Sequence, residues 1–413
     1  MEYGLIGEKL GHSYSKIIHE LLGFYEYELK EIPKDELDAF MRAKDFKGIN
    51  VTIPYKQDVM KYLDYIDEGA KTIGAVNAIV NKDGKLYGYN TDYYGLKKLV
   101  EYTGTDINGK KVLVLGTGGT SKTAKAVVSD MGASDVIKVG RSHRDDNITY
   151  EEACKEHNDA QFIINTTPAG MYPNIGISPI ELEPYKKLEC LVDVVYNPTR
   201  TQVMIDAQKL GIKAYGGLRM LVYQAMAAAE LFVDKKISDE TSQEIYTKVR
   251  ASFENIVLIG MPGVGKSTVG RRLEKELGMT LIDTDSEIVS RENRKISDIF
   301  ATEGEQYFRD VESAVVKEVA AKKNVVIATG GGAILREENV DALKAYGTLF
   351  LLDRPLEALL PTDNRPLAND ADKIKKLYTE RMPIYNKIAD VIIKGENGVS
   401  SEVNEIKRYM NEH

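Results

Sequence analysis

Two stretches of this chain carry the residue types and spacing needed to hold phosphate. In one, Gly260-x-x-x-x-Gly265-Lys266-Ser267 follows an apolar run at 256–259 and precedes a helical pattern, which is the strand, loop and helix setting of a P-loop. Glycines at 263 and 265 let the backbone fold into a nest of N–H donors, and the next helix adds its N-terminal dipole. Gly263, Val264, Gly265, Lys266, Ser267 and Thr268 would therefore bind ATP, with Lys266 on the outer phosphates and Ser267 on Mg2+. Downstream, Asp283 and Asp285 stand at i and i+2 of a predicted strand at 279–285, so both carboxylates would point to one face. Asp283 would hold Mg2+ through water, and Asp285 would orient an attacking hydroxyl and accept its proton.

The other stretch is Gly116-Thr117-Gly118-Gly119-Thr120-Ser121. A strand pattern at 110–116 leads into it, an amphipathic helix runs on to 131, and a further strand at 135–139 completes a βαβ unit of dinucleotide-binding type. Where an NAD enzyme usually places Asp or Glu for the ribose hydroxyls, this chain reads Gly140-Arg141-Ser142-His143-Arg144. Arginine suits a 2′-phosphate, so NADP(H) is expected over NAD.

Elements must position these groups, and 413 residues exceed what one core usually holds. The first hundred residues alternate strand and helix signals, with helices at 15–22, 55–63 and 94–102 and a hairpin around Lys82-Asp83-Gly84-Lys85. Strands at 162–165 and 191–195, helices at 202–210 and 218–233, and a polar helical connector follow. The boundaries read as 1–102 with 215–240 for a substrate and catalytic domain, 103–214 for a Rossmann-like NADP domain, 241–254 for the connector and 255–413 for a P-loop domain. The fold class is α/β: an N-terminal α/β substrate domain plus a Rossmann-type NADP domain, then a P-loop domain like that of nucleoside-monophosphate kinases.

A formal net charge of -8 argues against a general nucleic-acid or acidic-membrane binder, so anionic ligands must be met locally. Cys154 and Cys190, without metal-type spacing, are expected to be reduced and buried thiols. The N-terminus lacks a signal-peptide pattern, and the most apolar helical stretch, 218–233, carries Arg219 and Glu230. A soluble cytoplasmic protein is expected, with no membrane or nucleic-acid partner; a homodimer is compatible with the sequence.

Polar clusters in the first half are His12-Ser13-Tyr14-Ser15, Asn50-Val51-Thr52-x-Pro54-x-Lys56, Gly74-Ala75-Val76-Asn77 and Gly88-x-Asn90-Thr91-Asp92-x-x-Gly95. With Asn165-Thr166-Thr167-Pro168, Asp193-x-x-Tyr196-x-Pro198 and Gly217-x-x-Met220-Leu221-x-x-Gln224, they resemble shikimate dehydrogenase across residues 1–236. The resemblance implies Lys56 and Asp92 as catalytic residues. Such a pair suits the chemistry, because hydride reduction of a ring ketone leaves an alkoxide that must gain a proton. It implies Ser13 and Ser15 on the substrate carboxylate, Thr52, Asn77 and Gln224 on ring hydroxyls, and Tyr196 near the nicotinamide. Gly116, Gly118, Gly119, Thr120, Arg141, Ser142, Thr166 and Gly217 would bind NADP. Three positions depart from the family pattern: Lys16 for a Pro, Ala78 for a Thr, and Gly140 for the Asn that often precedes the 2′-phosphate arginine.

In the second half, Gly304-Glu305-x-x-Phe308-Arg309-x-x-Glu312, Gly330-Gly331-Gly332, Arg365-Pro366-Leu367 and Arg381-x-Pro383-x-Tyr385 join the P-loop and Asp283-Thr284-Asp285. This set resembles shikimate kinase across 255–394. By that resemblance Arg309 and Arg381 bind the substrate carboxylate, a task suited to the guanidinium fork. Gly330, Gly331 and Gly332 let the backbone approach the ring, and Arg365 is the lid arginine reaching the transferring phosphoryl. The segment before Arg365 is short for a family lid and poor in basic residues.

The expectation is a bifunctional enzyme that reduces 3-dehydroshikimate with NADPH and phosphorylates the resulting shikimate from Mg2+ and ATP. Two alternatives remain at this level: one half inactive and serving as a sensing or scaffolding module, or a first half that is a quinate/shikimate dehydrogenase using NAD.

Overall fold

Short apolar runs resolve into three sheets within the described residues of this computed structural model: 1–11, 14–144, 146–359, 371–395 and 398–412. The chain divides into two compact units, Met1–Val249 and Arg250–His413.

The first unit begins with β1 (Tyr3–Gly7), α1 (Tyr14–Leu22), β2 (Glu28–Glu31), α2 (Leu37–Ala43), β3 (Gly48–Val51), β4 (Tyr65–Ile66), α3 (Glu68–Ile73), β5 (Ala78–Lys82), β6 (Lys85–Tyr89) and α4 (Thr91–Tyr102). Its strands form a mixed sheet in the order β2-β1-β3-β5-β6-β4. The expected hairpin is present: β5 and β6 pair antiparallel across Asp83 and Gly84, both in the left-handed region as a tight two-residue turn requires. The helix expected at 55–63 is not. Only Asp58–Tyr62 is helical, as a 3-10 turn, with Met60 N–H donating to Gln57 O and Leu63 N–H to Met60 O. The chain before it is tied elsewhere, because the buried Tyr55 hydroxyl donates to Ile32 O and Lys56 O accepts from Val76 N–H.

The second sheet is built from β7 (Lys111–Leu115), α5 (Gly119–Asp130), β8 (Asp135–Gly140), β9 (Asn147–Thr149), α6 (Tyr150–Glu156), β10 (Phe162–Asn165), β11 (Cys190–Asp193), α7 (Gln202–Lys209) and β12 (Lys213–Tyr215), before α8 (Leu218–Val233) and α9 (Asp239–Ala251). All its strands are parallel, in the order β12-β11-β10-β7-β8-β9. Both faces are covered. Val112, Val114, Ile164 and Val192 pack with Leu96 and Leu99 of α4 and Met220 of α8, while Leu113, Leu115, Ile163 and Leu191 pack with Ala153, Val203 and Ala207. Continuous apolar strands follow from that two-sided burial. The edge strand β9 has no counterpart in the sequence reading, and β11 stops at Asp193 rather than 195. Cys190 is buried as expected, whereas Cys154 is only half-buried; neither is bridged.

Helix α9 falls on the stretch read as a connector, and it is packed. Ser242, Ile245 and Val249 are buried. The Arg219 guanidinium lies between the rings of Tyr102, 3.6 Å away, and Tyr246, 4.0 Å away, and Nη1 donates to Gln243 Oε1 at 2.8 Å.

The second unit holds β13 (Asn255–Ile259), α10 (Lys266–Leu277), β14 (Thr280–Asp283), α11 (Thr284–Glu292), α12 (Ile296–Thr302), α13 (Gly304–Ala320), β15 (Val325–Ala328), α14 (Glu337–Tyr346), β16 (Gly347–Asp353), α15 (Ala371–Ile388), β17 (Val391–Lys394) and α16 (Val399–Glu412). Its parallel sheet runs β14-β15-β13-β16-β17, with the strand that feeds the P-loop at the centre. The shared strand face expected for Asp283 and Asp285 is not formed. Asp283 ends β14 and caps α11, accepting from the N–H groups of Asp285 at 3.1 Å and Ser286 at 3.3 Å, so Asp285 sits in the first helical turn. Among the described residues, no helix is long and apolar enough to cross a membrane.

Arg219→Ala removes a sandwiched cation worth about 2 kcal/mol. Hydrogen exchange across 239–249 should accelerate while exchange in β7 and β10 stays slow; unchanged protection of α9 would show that the sandwich does not hold it.

Candidate active sites

The first site lies where β3, β5 and the start of α4 converge. Asn90 caps α4, its side chain accepting from Tyr93 N–H, and this puts Asp92 in the opening turn. Lys56 Nζ meets Asp92 Oδ2 at 2.6 Å, each side chain partly exposed, at 29% and 20%. The pair faces a cavity of about 340 Å³. The expected residues Ser15, Thr52, Asn77, Gln224 and Tyr196 line the same cavity, as do Thr120 and Gly217 from the cofactor set. Ser13 lies outside the described residues.

Its polar wall is preorganised. Asn77, 3% exposed, accepts from Thr91 N–H at 2.6 Å and from Thr91 Oγ1 at 3.2 Å, and Thr91 Oγ1 reaches Gln224 Oε1 at 3.4 Å. Asn50 donates to Asn77 O at 3.2 Å and accepts from the Tyr27 hydroxyl at 2.7 Å. Thr91 and Asn50 stood in the sequence clusters without an assigned role; Asn50 comes beside Asn77 when β3 pairs with β5, and Thr91 does so when β5 pairs with β6. Close approach of α4 to α8 completes the wall, because a Cβ at Gly95 would lie 2.6 Å from Met220 O.

The glycine turn sits at the reversal of strand order between β7 and β10, where such sheets open a crevice at their carboxyl ends. Gly116 has φ +112, and a Cβ there would lie 2.6 Å from Thr166 Oγ1, which itself donates to Leu115 O at 2.6 Å. A Cβ at Gly118 or Gly119 would meet nothing within 4 Å, leaving the N-terminus of α5 open to a ligand. Those features fit a dinucleotide pyrophosphate. Arg141 and Ser142 are exposed on the turn after β8. Gly217 presses on the chain behind it: a Cβ would lie 2.0 Å from Val194 O.

In the second unit Gly260, Gly263 and Gly265 all take positive φ, and Gly265 caps α10. Lys266, 5% exposed, donates to Gly260 O at 2.7 Å and Met261 O at 3.0 Å, folding its ammonium back over the loop. Val264 is buried and Thr268 exposed, so Val264 can serve a phosphate only through its backbone. Ser267 Oγ donates to Asp283 Oδ2 at 2.6 Å, bringing together two hard oxygens that fit Mg2+.

The glycine triplet crosses the acceptor groups. Arg309 is buried and already paired, with Nη1 to Glu312 Oε2 at 3.0 Å and Nη2 to Glu305 Oε1 at 2.9 Å. A Cβ at Gly332 would lie 2.1 Å from Arg309 Nη1, one at Gly330 2.5 Å from Asp285 Oδ1, and one at Gly331 2.9 Å from Pro262 Cγ. The carbonyl of Gly331 accepts from Arg381 Nη1 at 2.8 Å, and the Tyr385 hydroxyl lies 2.7 Å from it and 2.8 Å from Gly260 O. Burial raises the Glu312 pKa, against the pull of Arg309, and burial lowers that of Arg381. Glu312 and Tyr385 carried no role in the sequence reading, although the i, i+3 spacing from Arg309 was a signal for Glu312. Arg365, with residues 360–370, lies outside the described residues.

A doubly wound dinucleotide fold with a lysine–aspartate pair beside its glycine turn, followed by a P-loop fold with two arginines near the loop, defines an oxidoreductase joined to a phosphotransferase. Residues 5–79 match the family model for the shikimate dehydrogenase substrate binding domain, and residues 262–411 match the model for shikimate kinase. The shikimate dehydrogenase (NADP(+)) of Clostridium perfringens is 39% identical over 268 residues, covering 61% of this chain and 99% of that protein. That of Methanococcus maripaludis is 35% identical over 56% of this chain and 91% of its own. Among solved structures, the chorismate mutase/shikimate 5-dehydrogenase fusion protein of Clostridium acetobutylicum shares 39% identity at a TM-score of 0.57, covering 60% of this chain and 96% of that chain. The Thermus thermophilus enzyme in complex with NADP(H) and shikimate shares 26% at 0.55, covering 60% and 99%. The chain belongs to the shikimate dehydrogenase family through its first unit and carries a shikimate kinase domain in its second.

One buried carboxylate beside the first site titrates in an accessible range. Asp193 is fully buried and accepts from Thr201 Oγ1 at 2.6 Å, Val195 N–H at 2.9 Å and Asn165 Nδ2 at 3.1 Å, yet burial raises its pKa to about 6. The folded state thus holds this proton more tightly than the unfolded chain. The group costs nothing below pH ~4, and its penalty grows to on the order of 3 kcal/mol as pH rises past 6. Asp193→Asn should flatten that part of the pH dependence in calorimetry, read on the transition that NADP+ shifts upward. An unaltered pH profile would mean that Asp193 ionises as readily folded as unfolded.

Proposed function

We propose that the first unit reduces 3-dehydroshikimate to shikimate with NADPH and that the second phosphorylates shikimate at its 3-hydroxyl from ATP with Mg2+. The observation that carries the first half is the Lys56–Asp92 pair, 2.6 Å apart, in a polar cavity that also reaches Thr120 of the glycine turn. NADPH would supply the hydride. Lys56 gives the developing alkoxide its proton, and Asp92 holds the ammonium in position and stabilises its charge. Asn77, Thr52 and Gln224 take the ring hydroxyls, the first and last already oriented through Thr91. Ser15, with Ser13, takes the carboxylate, Tyr196 flanks the nicotinamide, and Arg141 with Ser142 takes the 2′-phosphate.

In the second unit Mg2+ and ATP would supply the phosphoryl group. Lys266 turns from its carbonyl partners to the outer phosphates, and Ser267 and Asp283 hold the metal. Asp285 takes the proton of the attacking hydroxyl. Arg309 and Arg381 bind the carboxylate, the former braced by Glu305 and Glu312. The division of labour we infer is 1–102 with 215–240 for substrate, 103–214 for NADP, 241–254 as a helical connector whose α9 part packs on the first unit, and 255–413 for the kinase, in the cytoplasm.

Purified protein given 3-dehydroshikimate, NADPH, Mg2+ and ATP should yield shikimate 3-phosphate. Lys56→Ala should lower reduction by roughly a hundredfold or more and leave kinase turnover intact, and Lys266→Ala should do the reverse. Loss of both activities in either folded variant contradicts separate sites. Gly332→Ala drives a methyl onto Arg309, and its KM for shikimate should rise about tenfold at constant KM for ATP. A rise confined to ATP would move Arg309 to the nucleotide.

A further inference from the structure

Strand β8 ends at Gly140, one of the three departures from the family pattern. Its backbone does not require glycine, since its φ lies outside the left-handed region. Space requires it: a Cβ would lie 2.8 Å from Asn147 Nδ2 and 2.9 Å from Thr117 Cγ2. The volume a side chain at 140 would fill is taken by Asn147, the first residue of β9, which is 4% exposed.

The amide of Asn147 is committed to the turn between β8 and β9. Nδ2 donates to Ser142 O at 2.9 Å and to Ile148 O at 3.1 Å, and Oδ1 accepts from Arg144 N–H at 2.8 Å. One buried group therefore fixes both arms of the turn that displays Arg141, Ser142 and Arg144 to solvent. Thr117, touching the same spot, belongs to the glycine turn. Neighbouring ionic groups are paired with one another: Lys125 with Asp146 at 2.9 Å, Lys138 also with Asp146, and His143 Nε2 with Glu152 at 3.2 Å.

We propose that Asn147 is a specificity-determining positioning residue: it shapes the turn so that Arg141, Ser142 and Arg144 meet the 2′-phosphate of the dinucleotide. The inference rests on the NADPH reading of the first unit. An amide suits the place because it donates and accepts at once; an aspartate could take the Arg144 N–H but would lose both donor bonds. Binding a phosphate on flexible arginines costs ordering entropy, which a preshaped turn avoids. NADH lacks that phosphate, so loosening the turn costs NADPH alone.

The test is steady-state reduction of 3-dehydroshikimate by the full chain with NADPH and with NADH. Asn147→Ala should raise KM for NADPH roughly tenfold while KM for NADH and kcat stay within about twofold. Gly140→Ala, which displaces the amide without deleting it, should give the same selective loss, as should Asn147→Ser if the alanine variant does not fold. An unchanged KM for NADPH in folded variants, or equal increases for both cofactors, overturns the proposal. Arg141→Ala separates the two levels: if it leaves the NADPH to NADH ratio unchanged, the cofactor assignment itself fails, and if it collapses the ratio while the Asn147 variants do not, only the role of Asn147 fails.

Discussion

Parallel strands run out of partners at their carboxyl ends, and both glycine loops are anchored by what satisfies the groups left there. At the end of β7, Leu115 O accepts from Thr166 N–H and Thr166 Oγ1. At the end of β10, Asn165 O accepts from Val194 N–H. Beyond β13, Gly260 O takes the Lys266 ammonium and the Tyr385 hydroxyl, and Leu258 O takes Thr329. The turns that close these ends are therefore held by backbone and side-chain donors together. The phosphate binding proposed for each unit rests on that geometry rather than on net charge, which is negative.

Glycines set distances in both units, but for two different reasons. At Gly116, Gly263 and Gly265 the backbone is left-handed and a side chain would be strained whatever the room available. Elsewhere the limit is space. Gly95 lets α4 meet α8, so Asp92 and Gln224 share a wall, and Gly332 lets the chain cross the guanidinium of Arg309. Gly330, likewise, brings the backbone up to Asp285. Such positions let side chains of neighbouring elements come into close contact with the backbone.

The cations of the two sites are met in two ways. Lys56 is met by Asp92, and Arg309 by Glu305 and Glu312, whereas Lys266 and Arg381 donate to backbone carbonyls. A buried unpaired charge would be strongly destabilising, and pairing also fixes orientation. Burial raises the pKa of Glu312 and Asp193 and lowers that of Arg381.

The sequence by itself determined the class of each unit. Phosphate loops need a strand, glycines and a helix in immediate succession, so Gly116–Ser121 and Gly260–Ser267 were legible, as were the Asp83-Gly84 hairpin and the motif order that gathers Lys56, Asn77, Asp92, Tyr196 and Gln224 into one cavity. Local spacing misled twice: longer-range bonds at Tyr55 and Lys56 left only a 3-10 turn of the 55–63 helix, and Asp285 left its strand for a helix that Asp283, two residues before it, caps. Only the tertiary structure decided the groups that act across distance. Thr91 bridging Asn77 to Gln224, Tyr385 bridging Gly260 to Gly331, and Asn147 filling the space above Gly140 are contacts between residues 7 to 133 positions apart. Periodicity reports which face a side chain takes, but not which neighbour the fold will set against it, because that depends on how strands pair and helices cross.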